Sequence, residues 1–166
     1  MSDSAADTPA AIPFSLGSMP LLAAGHSRLS LVQGERLSGH GMVIAEGGEV
    51  TLHAHHHEEH LFLVLAGAVR FSFLPPGEPL LLRPLEGILL PAGCFYSYFS
   101  VGEQNLVMAR VGTTRGPEAS RVGLDGQPLR GNSDRAGWQP ARPDPQGRRV
   151  VDLFPPPQAG GGEAFS

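Results

Sequence analysis

From about Ser27 to Gly112 the chain is a succession of short apolar runs, each cut off by glycine- or proline-containing breaks. The runs are Leu29–Gln33, Met42–Glu46, Val50–His56, Leu61–Leu65, Val69–Leu74, Leu80–Arg83, Ile88–Leu90, Phe95–Ser100 and Leu106–Val111. Between them stand Gly39 and Gly41, Gly47-Gly48, Ala66-Gly67, Pro75-Pro76-Gly77, Pro91-Ala92-Gly93 and Gly102. No run holds a helical period over three turns. Short runs with turns at intervals of roughly 8–12 residues predict an all-β, antiparallel sandwich or barrel. At 166 residues the chain is about one domain long, enough to bury a proper core.

The flanks read differently. Residues 1–26 are small, polar and interrupted by proline, apart from the apolar stretch Met19 to Ala24. They are expected to form an irregular N-terminal arm, with that stretch laid on the barrel or on a partner. Residues 27–113 are assigned to the barrel and 114–166 to a Pro/Gly-rich C-terminal tail. The tail has too few aliphatic residues for a core of its own. Trp138 and Val150–Phe154 are the parts suited to dock, and Pro155-Pro156-Pro157 with Gly160-Gly161-Gly162 is expected to be mobile.

Charge and composition exclude several classes of function. A net charge of −4 leaves no electrostatic footprint for nucleic acid. All 12 basic residues are arginine, which removes Schiff-base catalysis and a Walker-type phosphate loop, since both need a lysine amine. A single cysteine, Cys94, excludes an intrachain disulfide and a thiolate-rich zinc site. Met1 to Thr8 lack the basic and apolar regions of a secretory leader. No run approaches the roughly 18 apolar residues of a membrane helix. The expected location is the cytoplasm, with no membrane partner.

Five of the seven histidines fall in one strand-turn-strand segment: His53, His55, His56, His57 and His60, with Glu58 and Glu59 among them. Neutral imidazole binds transition metals near pH 7 without burying a full charge. Alternate residues of a strand share a face, so His53, His55 and His57 point one way and His56 the other. Two histidines at i and i+2 suffice to grip one ion. His57 lies at the turn and is expected to face solvent or to support a ligand, and Glu58 and Glu59 to form a solvated turn. Either carboxylate could instead orient a ligating ring by accepting its second N–H. His26 and His40 are isolated. Arg70 and Arg83 would meet a substrate only if they point inward.

This segment resembles the first signature of the cupin superfamily: glycine, five residues, His-x-His, three or four residues, glutamate, six residues, glycine. Gly47, His53-Ala54-His55, His60 and Gly67 fit the longer spacing, with histidine at the glutamate position. The shorter spacing would make Glu59 the acidic ligand, with seven residues before Gly67. Leu61 to Leu65 are apolar on both faces, so strand parity leaves His60 and Glu59 both open. The wording of the segment looks especially similar to small single-domain cupins related to quercetin-dioxygenase-type proteins. Of the second cupin signature only Pro91-Ala92-Gly93 matches: Tyr96 stands where a histidine ligand belongs and Ser100 where an asparagine does. Gly123 to Leu129 is similar to extensions that follow such domains.

The resemblance implies a small antiparallel jelly-roll barrel carrying one divalent transition metal per chain. His53 and His55, with His60 or Glu59, would be its ligands, and iron, zinc, nickel, manganese or copper all suit such a donor set. Tyr96 is the candidate catalytic residue, a neutral phenol beside the open coordination positions, or else filler for a lost ligand. The expected activity is that of a mononuclear non-haem metal dioxygenase acting on a small enolic or phenolic compound. The alternatives are a non-catalytic binding protein with a degenerate metal site and a cupin-type isomerase or lyase. Association by sheet packing into a homodimer is expected.

Overall fold

The computed structural model describes residues 10–113, 121–129 and 138–154. Its strands are β1 (Leu22–Ala24), β2 (His26–Gln33), β3 (Leu37–Ile44), β4 (Val50–His55), β5 (His60–Ala66) and β6 (Ala68–Leu74). They continue with β7 (Leu80–Leu82), β8 (Gly87–Leu90), β9 (Phe95–Val101), β10 (Leu106–Thr113), β11 (Arg121–Val122) and β12 (Arg142–Pro143). β2 to β10 coincide with the runs read from the sequence within three residues at each end, except that β3 starts at Leu37 and takes in Gly39 and Gly41, which were expected to form a break. Among the described residues the helical content is one 3-10 turn at Val150–Leu153.

Two five-stranded sheets face each other, ordered β2-β3-β10-β5-β8 and β11-β4-β9-β6-β7. From β3 onward the chain changes sheet at almost every turn, and the ladders within both sheets are antiparallel. The result is a jelly-roll barrel. The β5–β6 turn needs Gly67: its φ is +71°, and an added Cβ would come within 2.6 Å of the Asn105 carbonyl oxygen.

The structure decides the parity of β5. His60, Phe62, Val64 and Ala66 are buried, while Leu61 and Leu63 are exposed. Pairing with β10 sets Phe62 opposite Arg110 and His60 opposite Gly112. On β4, an irregularity between Val50 and His53 pairs them with Tyr98 and Tyr96, residues two apart on β9. The extra residue of such a bulge lets Val50 and His53, three apart, both line the barrel interior.

Phe62, Phe71, Tyr96 and Tyr98 fill the middle of the barrel, with ring centroids between 5.2 and 6.3 Å apart. Met42, Ile44, Val64, Val69, Leu106 and Met108 complete this inner core. A second core lies on the outer face of the β3–β10–β5 layer. There Met19, Leu21, Leu22 and Val150 pack on Val43, Ala45, Ala66 and Val107. Backbone bonds knit the two flanks together: Leu21 N–H to Arg148 C=O at 2.9 Å, Val150 N–H to Met19 C=O at 2.9 Å, and Asp144 N–H to Leu21 C=O at 2.8 Å. Val150 thus docks as the sequence suggests, whereas Trp138 is exposed. The Pro/Gly end from Pro155 to Ser166 lies outside the described residues.

Candidate metal centre

The end of β4 and the start of β5 bring three metal-capable side chains together at the barrel mouth. One ligand atom each from His55, Glu58 and His60 lies within 4.8 Å of the others. Glu58 Oε2 is 2.9 Å from His60 Nε2 and 3.4 Å from His55 Nδ1. The turn folds Glu58 back over the two rings, so the solvated turn expected of it does not form: its carboxylate is only partly exposed. Across the ladder, Gly112 makes room for the His60 ring; a Cβ there would stand 3.0 Å from His60 Cδ2.

Both ring nitrogens of His60 are engaged. Nδ1 lies 3.2 Å from the Tyr96 hydroxyl, and Nε2 meets both Glu58 and, at 2.6 Å, Arg110 Nη2. A guanidinium only donates and an ionised carboxylate only accepts. Nε2 therefore cannot satisfy both at once: it needs a lone pair for Arg110 and a proton for Glu58. A metal ion held by His60, Glu58 and His55 would take the Nε2 lone pair and satisfy Glu58, so the donor set fits a metal once the Arg110 guanidinium turns away from that nitrogen. The positive group the structure places there is the Arg110 guanidinium, itself 3.5 Å from Glu58 Oε2.

The electrostatics keep the donors in their ligating forms. Burial, aided by Arg110, pushes the His60 imidazolium down to about 4. Burial, with Arg121, takes His53 to about 3. Hydrogen bonding to the His55 and His60 rings holds the Glu58 carboxyl well below the usual carboxylate range. Burial raises Tyr96 above the ordinary phenol range, so it stays a neutral hydroxyl.

The predicted residues separate on this geometry. His55 and His60 join the cluster. His53 is not part of that group, but it lies beside it: its ring centroid is 5.1 Å from that of His55. Its Nδ1 donates to the Thr51 carbonyl at 2.7 Å, which leaves the Nε2 lone pair free for a ligand. Glu59 is exposed on the rim beside His56 and His57, its backbone tied to Thr113. The carboxylate among the histidines is thus Glu58 and not Glu59, because the turn points successive side chains in different directions. Tyr96 is 3% exposed and touches His60, so it acts on the ring's orientation. Arg70 stacks over the exposed side of Phe99 and Arg83 is exposed; neither points inward.

A cavity of about 90 Å³ opens beside the cluster, bordered by His26, Arg28, His53, Tyr96, Arg110 and Arg121 among others. A larger hollow of about 370 Å³ at the opposite end of the barrel is lined by Glu46, Glu49 and Glu103 and gathers no imidazole. The smaller one holds the chemistry. Its arginines stand far from the histidines in the sequence, and no local pattern marks them.

No protein-family profile matches the chain, and no curated protein does. Solved structures do. The cupin domain of Schizosaccharomyces pombe Cnp3 superposes with a TM-score of 0.51 at 17% identity, over 57% of this chain and 68% of that one. An uncharacterised Klebsiella pneumoniae protein with a double-stranded β-helix domain gives 0.51 at 14% identity, over 58% and 83%. KdgF from a Halomonas species gives 0.50 at 18% identity, over 55% and 81%. This is a cupin fold. At these identities the likeness is one of fold, and the closer similarity to quercetin-dioxygenase-type proteins rests on the motif alone. Among the described residues no helix is long and apolar enough to cross a membrane.

Proposed function

We propose that this cupin is a mononuclear metal-dependent enzyme, a dioxygenase acting on a small enolic or phenolic compound. The observation that carries the reading is the convergence of His55, Glu58 and His60 within 4.8 Å beside an open cavity. Two imidazoles and one carboxylate are a donor set suited to a divalent transition metal with positions left free. Such a metal, when bound, supplies a Lewis-acidic and, if iron, redox-active centre for an oxygen-chelating substrate and dioxygen. His55, Glu58 and His60 would hold it, with His53 presenting its free nitrogen nearby. Tyr96 positions the His60 ring, and Phe62 and Tyr98 close the floor against water.

Metal analysis of the purified protein, followed by oxygen uptake of the iron-loaded form with diketones, catechols and flavonols, tests this. About one metal per chain and uptake above the metal-free control are expected. Tyr96→Phe should keep the metal and slow turnover about 10- to 100-fold, the size of a lost positioning contact. Absence of metal even after reconstitution would sink the enzyme. The close approach of Arg110 to His60 supports the second reading, a non-catalytic binding cupin whose guanidinium takes the cation's place. Exposed Leu61 and Leu89, paired across β5 and β8, support association as a homodimer through that sheet face. A monomer by sedimentation would remove it.

A further inference from the structure

Three guanidinium groups from three strands meet at the barrel mouth. Arg28 stands on β2 opposite Met42, Arg110 on β10 opposite His40 and Phe62, and Arg121 on β11 opposite His55. All three line the cavity of about 90 Å³, and none of the residues lining it is acidic. Glu58 is the carboxylate within reach, at 3.5 Å from Arg110 Nη2. The chain as a whole carries a net charge of −4, so general composition does not account for this concentration of positive charge. The burial of Arg110 is also costly. The Arg110 side chain is 12% exposed, and its Nε is buried with no hydrogen-bond partner. A buried guanidinium with an idle donor faces a desolvation cost that a bound anion would offset.

We infer that the mouth of this barrel binds a small organic carboxylate, gripped by Arg28, Arg110 and Arg121. A guanidinium offers parallel donors that match a carboxylate in a two-point contact. The cavity equals roughly three waters at about 30 Å³ each, which suits an acid of a few heavy atoms. Phe62, Tyr96 and Tyr98 form an aromatic wall on which the ligand's carbon frame can lie, a surface that a bare oxyanion would leave unused. The low-dielectric walls focus the positive field on the mouth and draw anions to it. This inference deepens the proposed function by assigning a carboxylate to the substrate, yet the arginine contacts need no metal.

Calorimetric titration of the full chain, as purified and after chelator treatment, tests it at low ionic strength. The probes are propionate, malonate, the neutral isostere propionamide and inorganic phosphate. Propionate and malonate should bind both forms, and propionamide neither. Arg28→Gln and Arg121→Gln should each weaken carboxylate binding about tenfold or more, as expected for loss of one charge-assisted contact. Arg28 is exposed, so Arg28→Gln decides the matter if Arg121→Gln fails to fold. Equal binding of amide and acid, unchanged affinity in Arg28→Gln, or phosphate binding more tightly than either acid would overturn the inference. A protein that takes up no metal even on reconstitution yet binds propionate defeats the metal reading alone; a metal-loaded protein that binds neither acid defeats this one alone.

Discussion

The two ends of the barrel interior are built on the same strands and have opposite characters. On β10 the inward series runs Leu106, Met108, Arg110; on β5 it runs Val64, Phe62, His60; on β9, Tyr98 leads to Tyr96. On β10 and β5, side chains with no polar demand give way within one or two inward steps to groups that must find a partner. The deep end is closed by dispersion and apolar burial, which are non-directional and satisfied by any well-filled packing. The mouth is closed by directional contacts among ionisable groups, and one of them, the Nε2 of His60, has more suitors than it can serve. Stability should therefore reside at the deep end and ligand chemistry at the mouth.

The strongest way to break that contrast is to cut the deep end. Phe71 is fully buried among Phe62, Tyr96 and Tyr98, and Phe71→Ala should cost about 3–5 kcal/mol in urea unfolding. A loss no larger than that of His53→Ala would mean the mouth bears as much of the stability.

Acid should act through the mouth instead. In the metal-free protein burial lowers His26 to about 4, His53 to about 3 and His60 to about 4, from 6.5 in the unfolded chain. The unfolded state then binds more protons below pH 6.5, so stability is fully present above that pH and lost as pH falls toward 4. The urea midpoint should start to drop near pH 6.5, well above the carboxylate range. A flat profile from pH 7 to 5 would show that these rings are solvated.

Metal affinity sharpens the comparison at the level of single ligands. Glu58→Gln should weaken metal binding about 100-fold while leaving the fold intact, and Glu59→Gln should change nothing. A competition titration against a chromophoric chelator reads both. The reverse order would restore Glu59 as the acidic ligand.

The smallest effect is expected outside the barrel. Val150→Ala removes two methyls from the outer core shared by the N-terminal arm and the tail, and should cost about 1–2 kcal/mol with metal content unchanged. Loss of metal in this variant would tie that outer core to the mouth.

Much of the site was legible residue by residue. His53 and His55 were placed on one face by alternation, and the spacing from Gly47 to Gly67 framed the two strands and the turn between them. Between His60 and Glu59 the sequence leaves both open; the structure buries His60 at the head of β5 and leaves Glu59 exposed on the rim. Glu58 was legible only as a turn residue or a supporting carboxylate. Strand periodicity stops at the β4–β5 turn, and nothing local says which turn side chain folds back. Arg110 and Tyr96 reach His60 from 50 and 36 residues away, and no local pattern encodes such pairs.

By itself the sequence determined that this chain makes short antiparallel strands, since its apolar runs are too brief and too often broken for anything else. It also determined that a cluster of imidazoles sits on one strand-turn-strand segment. Only the tertiary structure decided what surrounds them. Register between strands distant in sequence placed Arg110 opposite Phe62 and Arg121 opposite His55, and drew the arm and the tail into one outer core. The physical reason is that side-chain alternation specifies a face relative to its own strand. Which residues that face meets depends on how the sheets close, a long-range outcome of the whole core.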